Sequence, residues 1–256
     1  MNHRLVLALV ALLAFGGVRL PFEQKLERAQ QAERRHGVTL DLSLREKLGQ
    51  MGFLAALGGF RSLVADALWI HAETLFERTD WGAMKVDFDA VTTLQPRCAM
   101  FWEMAAWHMY ANAAISVAQD PRQPREALRL KAQREYWKLG EDYALRGIAN
   151  NPENATLYIN LGMQLYKDRF QDHCKAAEIL ARGAAVPNAP VYVHRFAVYE
   201  LARCPGHERE AYEKLLALYQ KGDDERLPTL LRLLGELQEK LKVPAAQKID
   251  IPPSTP

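Results

Sequence analysis

An aromatic residue standing just past a proline turn, at the head of an apolar helical stretch, recurs along this chain at nearly constant spacing. Tyr158 follows Pro152 in "NPENATLYINLG", and Tyr192 follows Pro187 at an interval of 34 residues from Tyr158. Trp69 and Trp102 stand 33 apart, whereas Trp102 and Tyr158 stand 56 apart, 22 more than a 34-residue period. The polar run "QDPRQPREALRLKAQRE" sits inside the long interval and accounts for the excess as an insertion near residues 116–136. A chain that repeats one helical unit cannot bury the apolar face of any single copy alone. Stacked copies supply the core together.

The rest of the chain is consistent with that restriction. From about residue 22 it reads as helix after helix, with no run of alternating apolar and polar residues that would predict a strand. Breaks fall at Asp80, at Gln95-Pro96, at Asp120 to Pro124, at "NNPEN", near Arg169, and at "VPNAP", "CPGH" and "GDDERLP". Their spacing is that of short paired helices. "PFEQKLERAQQAERRHG" is charged on most faces and ends at Gly37, as a solvated linker helix would, and Asp41 or Ser43 can cap the next helix. Residues 23–59 are therefore expected to form a helical linker or cap, and residues 60–222 about four repeats. A capping helix is expected over 223–243, with Leu230, Leu231, Leu233, Leu234 and Leu237 on its apolar face. The Pro-rich residues 244–256 are expected to be an extended, disordered tail.

A small residue, a large one four later, a small one three after that and a proline or turn residue five further on recur along the chain. Met84, Phe88, Val91 and Pro96 keep these intervals, as do Gly140, Ala144, Gly147 and Pro152. Ala176, Leu180, Gly183 and Asn188 follow, with Pro187 displaced by one, and Ala211, Leu215, Leu218 and Asp223 form an eroded fourth set. Tyr158, Leu161 and Gly162 mark a preceding helix, and Trp69, Ala72 and Glu73 do so in part. In these intervals the chain resembles the tetratricopeptide repeat family over roughly residues 60 to 222. The resemblance implies an all-α fold, an α-solenoid of helix pairs. It also implies that first helices face a binding groove. The inward positions would be Glu103, Trp107 and Tyr110 in one unit, Asn160, Met163 and Lys167 in the next, and Val193, His194 and Ala197 in the one after. A protein or peptide is the implied partner.

The amino terminus points to a membrane. Leu5 to Val18 is a 14-residue uncharged run behind Arg4 and closed by Arg19, so residues 1–22 read as an anchor or export signal. A cleavable signal would be removed near Ala14-Phe15-Gly16; an anchor would use Leu20, Pro21 and Phe22 while Arg19 reaches the interface. The anchor is the leading expectation, secretion after cleavage the alternative. With Arg4 inside, the helical region would lie outside the cytoplasm, in the periplasm if the cell is bacterial. A second apolar stretch, Met51 to Ile70, carries Arg61 and Asp66 at its middle and is expected to pack against protein instead, with a break at Gly58-Gly59.

Chemistry is sparse. No phosphate loop, nucleophile elbow, H-E-x-x-H or C-x-x-C stretch occurs, so no catalytic residue or cofactor is expected and the chain reads as a binding protein. Lys and Arg number 33 against 31 acids, a balance that offers no clustered excess for nucleic acid. The pairs Asp87 with Asp89 and Asp223 with Asp224 read as solvated surface acids. Trp102 and Trp107 lie about 500° apart on a helix, so one of them is left over to line an accessible surface. His173-Cys174 and "CPGH", Cys204 to His207, fall on equivalent turns of neighbouring repeats. They leave three readings open: a Cys174–Cys204 disulfide, a metal site with the histidines, or unpaired thiols. Cys98 is left over in each. An envelope accessory factor or enzyme using these His and Cys residues, or a small-ligand groove around Trp102, is the alternative to a protein-binding scaffold.

Overall fold

The structure, a computed structural model, describes residues 59–249. The expected anchor at 1–22, the linker as far as residue 58 and the last part of the tail lie outside the described residues. Every regular element within them is helical, and none of those helices is long and apolar enough to cross a membrane. The chain divides into two compact units, one ending at Ala105 and one beginning at Ala106. The single run of repeats expected over 60–222 is thus divided within the helix Ala99–Trp107.

In the first unit Gly59 (φ 71°) precedes α1 (Arg61–Glu77), and Asp80 opens α2 (Trp81–Leu94) by accepting the Ala83 amide at 3.1 Å. The two helices pack as an antiparallel neighbour pair joined by three residues, closed over Ala65, Val91, Leu94 and Phe101. The Trp69 ring lies 5.6 Å from Phe88 and 5.2 Å from Phe101, so the first recurring aromatic fills the gap between the helices. Asp87 does not belong to the solvent. It is buried and takes a 2.7 Å hydrogen bond from His71 Nδ1 across the helix pair, which corrects the surface reading; Asp89 pairs with Lys85 at 2.7 Å. A buried carboxylate needs such a partner because desolvation of the lone charge is costly.

The second unit follows the same plan at greater length. α3 (Ala99–Trp107), which begins in the first unit, runs into a π-helical segment (His108–Ala113) and a short α4 (Ala114–Ala118). α5 (Glu126–Asn150) is followed by α6 (Ala155–Asn160), which continues as a second π-helical segment (Leu161–Phe170). Then come α7 (His173–Ala184), α8 (Val191–Leu201), α9 (Glu208–Gln220) and α10 (Pro228–Lys240). Each packs mainly on its neighbours in the chain, as locally paired helices must. Asn154 and Asp172 cap α6 and α7 through the amides of Thr156 and Lys175, both at 3.0 Å. Gln171, at φ 55°, ends the second π segment, and its side-chain amide donates to the carbonyls of Lys167 and Asp168.

The small-large-small triplets are core in every helix that carries one. Met84, Phe88 and Val91 of α2, Gly140, Ala144 and Gly147 of α5, Ala176, Leu180 and Gly183 of α7, and Ala211, Leu215 and Leu218 of α9 are all buried. The glycines among them mark closest approach. A Cβ on Gly183 would stand 2.6 Å from the Tyr158 Cβ, and one on Gly140 would stand 2.8 Å from the Tyr110 Cβ. α10 closes the unit with Leu230, Leu233, Leu234 and Leu237 buried and Leu231 partly so. The tail departs from the extended reading as far as residue 249. Ala245–Gln247 form a 3-10 turn, and the buried Gln238 side chain binds both the amide (2.7 Å) and the carbonyl (3.3 Å) of Ile249, whose side chain joins the core cluster. A buried amide of this kind needs both its donor and its acceptor satisfied.

Candidate partner surface

Two of the four recurring aromatics, one in each unit, are held in the same way. The Trp102 indole donates to the Pro96 carbonyl at 2.8 Å, and the Tyr158 hydroxyl donates to the Pro152 carbonyl at 3.1 Å, each bond reaching back six residues. Each ring therefore clips the turn before its own helix. That fixes the direction in which the helix leaves the turn, and with it the side chains one turn further on. Trp102 is buried, whereas Trp107, five residues later, is 40% exposed and meets the His108 ring edge-on at 4.9 Å. Trp107 is the ring that faces outward.

Among the inward positions implied by the repeat resemblance, Tyr110, Val193 and Ala197 are buried and serve the core. Their expected place in a groove is corrected by the contacts they make. Tyr110 lies under α5 at Gly140, and Val193 packs toward Gly183 of α7. The partly buried Glu103 belongs to the first unit. Asn160, Met163 and Lys167 are partly exposed on α6 and the second π segment, and Lys167 pairs with the adjacent Asp168 at 3.1 Å. His194 of α8 is exposed; local desolvation first, and then the Lys221 ammonium, hold its imidazole below the ordinary histidine value. Trp107, Asn160, Met163, Lys167 and His194 are the members of the expected set in the second unit with side-chain surface to offer.

Arg169 connects the two π segments. Its Nε donates to the Tyr110 carbonyl at 3.3 Å, its guanidinium lies 4.7 Å from the centre of the Tyr110 ring, and a second nitrogen donates to the Gln164 carbonyl at 2.5 Å. A π segment displaces carbonyls from the α-helical ladder, and a guanidinium with several fixed donors can satisfy one from each segment. Inside the first segment His108 is 3% exposed, and Asn112 Nδ2 lies 3.1 Å from its Nδ1. Burial pushes the His108 imidazole down to about 4, so the ring is neutral at pH 7.

The two cysteine-bearing turns do meet. Cys174, second residue of α7, is bonded to Cys204 beyond the end of α8, with Cα atoms 4.8 Å apart. Their histidines go elsewhere: His173 Nδ1 contacts Glu200 at 2.6 Å and His207 Nδ1 contacts Glu210 at 3.1 Å. Glu200 is 2% exposed and also receives Arg203 at 2.6 Å, so a buried carboxylate held by an imidazole and a guanidinium lies between the helices that the disulfide connects. Among the described residues no group of three or more His, Cys, Asp and Glu side chains could hold a metal ion, and Cys98 is a free, partly buried thiol. Glu200 had no sequence signal, since it is written inside the apolar run "FAVYELA". Nothing in the spacing marks the π segments either. The chain matches no protein-family model and no curated protein significantly.

Proposed function

We propose that this protein is a membrane-anchored scaffold built of tetratricopeptide-like helix pairs, stacked as an α-solenoid, which binds a protein or peptide partner outside the cytoplasm. The observation that carries the reading is the recurrence of the proline-carbonyl clip at Trp102 and Tyr158, together with burial of the same small-large-small positions in α2, α5, α7 and α9. Recurrent units of this kind present a row of first helices, and such rows hold extended or helical peptides. Trp107, Asn160, Met163, Lys167 and His194 would supply the contact: an aromatic anchor, a flexible thioether and polar groups suited to a peptide backbone or carboxylate. The Cys174–Cys204 bond supports an oxidising compartment, and the apolar run Leu5–Val18 supports attachment of the chain to an envelope membrane.

Binding rather than catalysis is the activity assigned. His108 is buried away from solvent, the paired cysteines are consumed by their own bond, and the buried carboxylates Asp87 and Glu200 are occupied by side chains of the same chain. Proximity labelling from a fusion at the C-terminus, compared with an export-blocked form, tests the reading. A reproducible set of envelope proteins that is lost from the Trp107→Ala and Lys167→Glu variants is the expected result. Labelling confined to cytoplasmic proteins, or a set indifferent to both substitutions, would overturn it.

A further inference from the structure

α5 is 25 residues long, and its buried residues are Gly140, Tyr143, Ala144, Gly147 and Ile148; its first 14 residues include none. At 1.5 Å per residue, roughly 20 Å of helix therefore carries no fully buried side chain, and the Trp137 ring, 5.9 Å from Phe170, holds its inner face. Isolated helical segments of such length are marginal in water. The same half lies in the segment that exceeds the repeat period, so stacking does not require it either. Its composition is unlike the remainder. Residues 126–138 hold four Lys or Arg and two Glu, a net charge of +2 that equals the total of the whole chain.

The distribution of these side chains selects the occupant. At about 100° per residue, Arg134, Lys138 and Lys131 fall side by side on one face, with Leu130 on one flank and Leu128 on the other. All five are exposed, the leucines at 45% and 43%. Glu135 stands on this face 3.9 Å from Lys131, and Glu141 and Asp142 follow on it within a turn of Lys138. No buried residue lies among these side chains, so they share one convex helical surface. Cations edged by leucines on an open helical face match a lipid interface, where ammonium and guanidinium groups meet phosphates and short apolar side chains enter the headgroup boundary.

We infer that the first half of α5 is a peripheral membrane-contact element that lies on anionic phospholipid headgroups. The inference rests on the proposed anchor only for what brings this face to lipid; the contact itself is made by Lys131, Arg134, Lys138, Leu128 and Leu130. Each cation brought to an anionic surface favours the bound state roughly fivefold.

The test is amide hydrogen exchange on the full chain reconstituted in vesicles of phosphatidylcholine, with and without phosphatidylglycerol. Residues 126–138 should exchange about tenfold or more slowly on the anionic vesicles, with residues 173–184 unchanged as the internal reference. High salt and the variant K131E/R134E/K138E should each remove the difference. Equal exchange of 126–138 on the two vesicle types would overturn the inference. So would slowing by soluble polyglutamate but not by anionic vesicles, which would assign the face to an acidic protein. Extraction of the chain by alkaline carbonate would count against the anchor alone, since the exchange comparison still reads the helix face directly.

Discussion

One chemical change, glycine to alanine inside a helix, is expected to have opposite signs at two positions of this protein. At Gly82, in the first turn of α2, an added Cβ would meet only Asp80 Oδ1 at 3.7 Å, an ordinary contact. Gly82→Ala should therefore show the helical preference and reduced unfolded-state freedom of alanine, a gain of about 0.5–1 kcal/mol. At Gly183 the same methyl would stand 2.6 Å from the Tyr158 Cβ, about 1 Å inside normal contact. That carbon is fixed to the backbone of α6 and cannot rotate away, so α7 must retreat. Overpacking of this kind costs about 1–3 kcal/mol; less the same helical gain, Gly183→Ala should destabilise by about 0.5–2 kcal/mol, or roughly 1–8 °C in Tm for a unit of this size. Differential scanning calorimetry of the full chain and the two variants reads both effects. A Gly183→Ala protein as stable as Gly82→Ala would refute the close approach of α6 and α7, and with it the packing role given to the small residues.

Other expectations are as direct. Reduction of Cys174–Cys204, or its replacement by two serines, opens a loop with a sequence separation of 30 and should lower stability by about 3–4 kcal/mol in urea unfolding; an unchanged midpoint would remove its structural role. His108 in the folded chain sits at about 4 against 6.5 for an exposed histidine, so the unfolded chain takes the proton first. Its contribution is fully present above pH 6.5 and drains away as pH falls toward 4, by up to about 3 kcal/mol. The His108→Gln variant should flatten stability across that window, and an identical pH profile would exclude the residue as its source. Arg169→Met keeps most of the side-chain volume but removes the donors to Tyr110 and Gln164, and should cost about 1–3 kcal/mol, seen as faster amide exchange in both π segments.

The helical class, the turns and the core triplets were legible because they rest on intervals within single helices, and an interval of four and then three places residues on one face whatever the partner. Groove membership was less so. The positions taken by resemblance put Tyr110, Val193 and Ala197 on an open face, whereas all three are buried, Tyr110 and Val193 against glycines of neighbouring helices. Burial at these positions depends on how closely a second helix approaches, which no local pattern states. Asp87 read as a surface acid because its partner, His71, lies on another helix, 16 residues away. The same holds for Glu200 and His173, 27 apart, although the cysteine turns beside them were visible from their near-repeat spacing. A tail rich in proline reads as free, and the buried Gln238 that holds Ile249 gives no sign of doing so in its own sequence context.

The bond between Cys174 and Cys204 also changes how this protein would carry load. A pull applied along the chain passes from the turn before α7 to the turn after α8 through two sulfur atoms, and α7 and α8 are left out of the force path. Some 30 residues, roughly 100 Å of extended chain, are thus withheld from stretching until the bond is reduced. A protein tethered at one end and bound to a partner elsewhere would lengthen on either side of this clasp and keep that helix pair folded under tension.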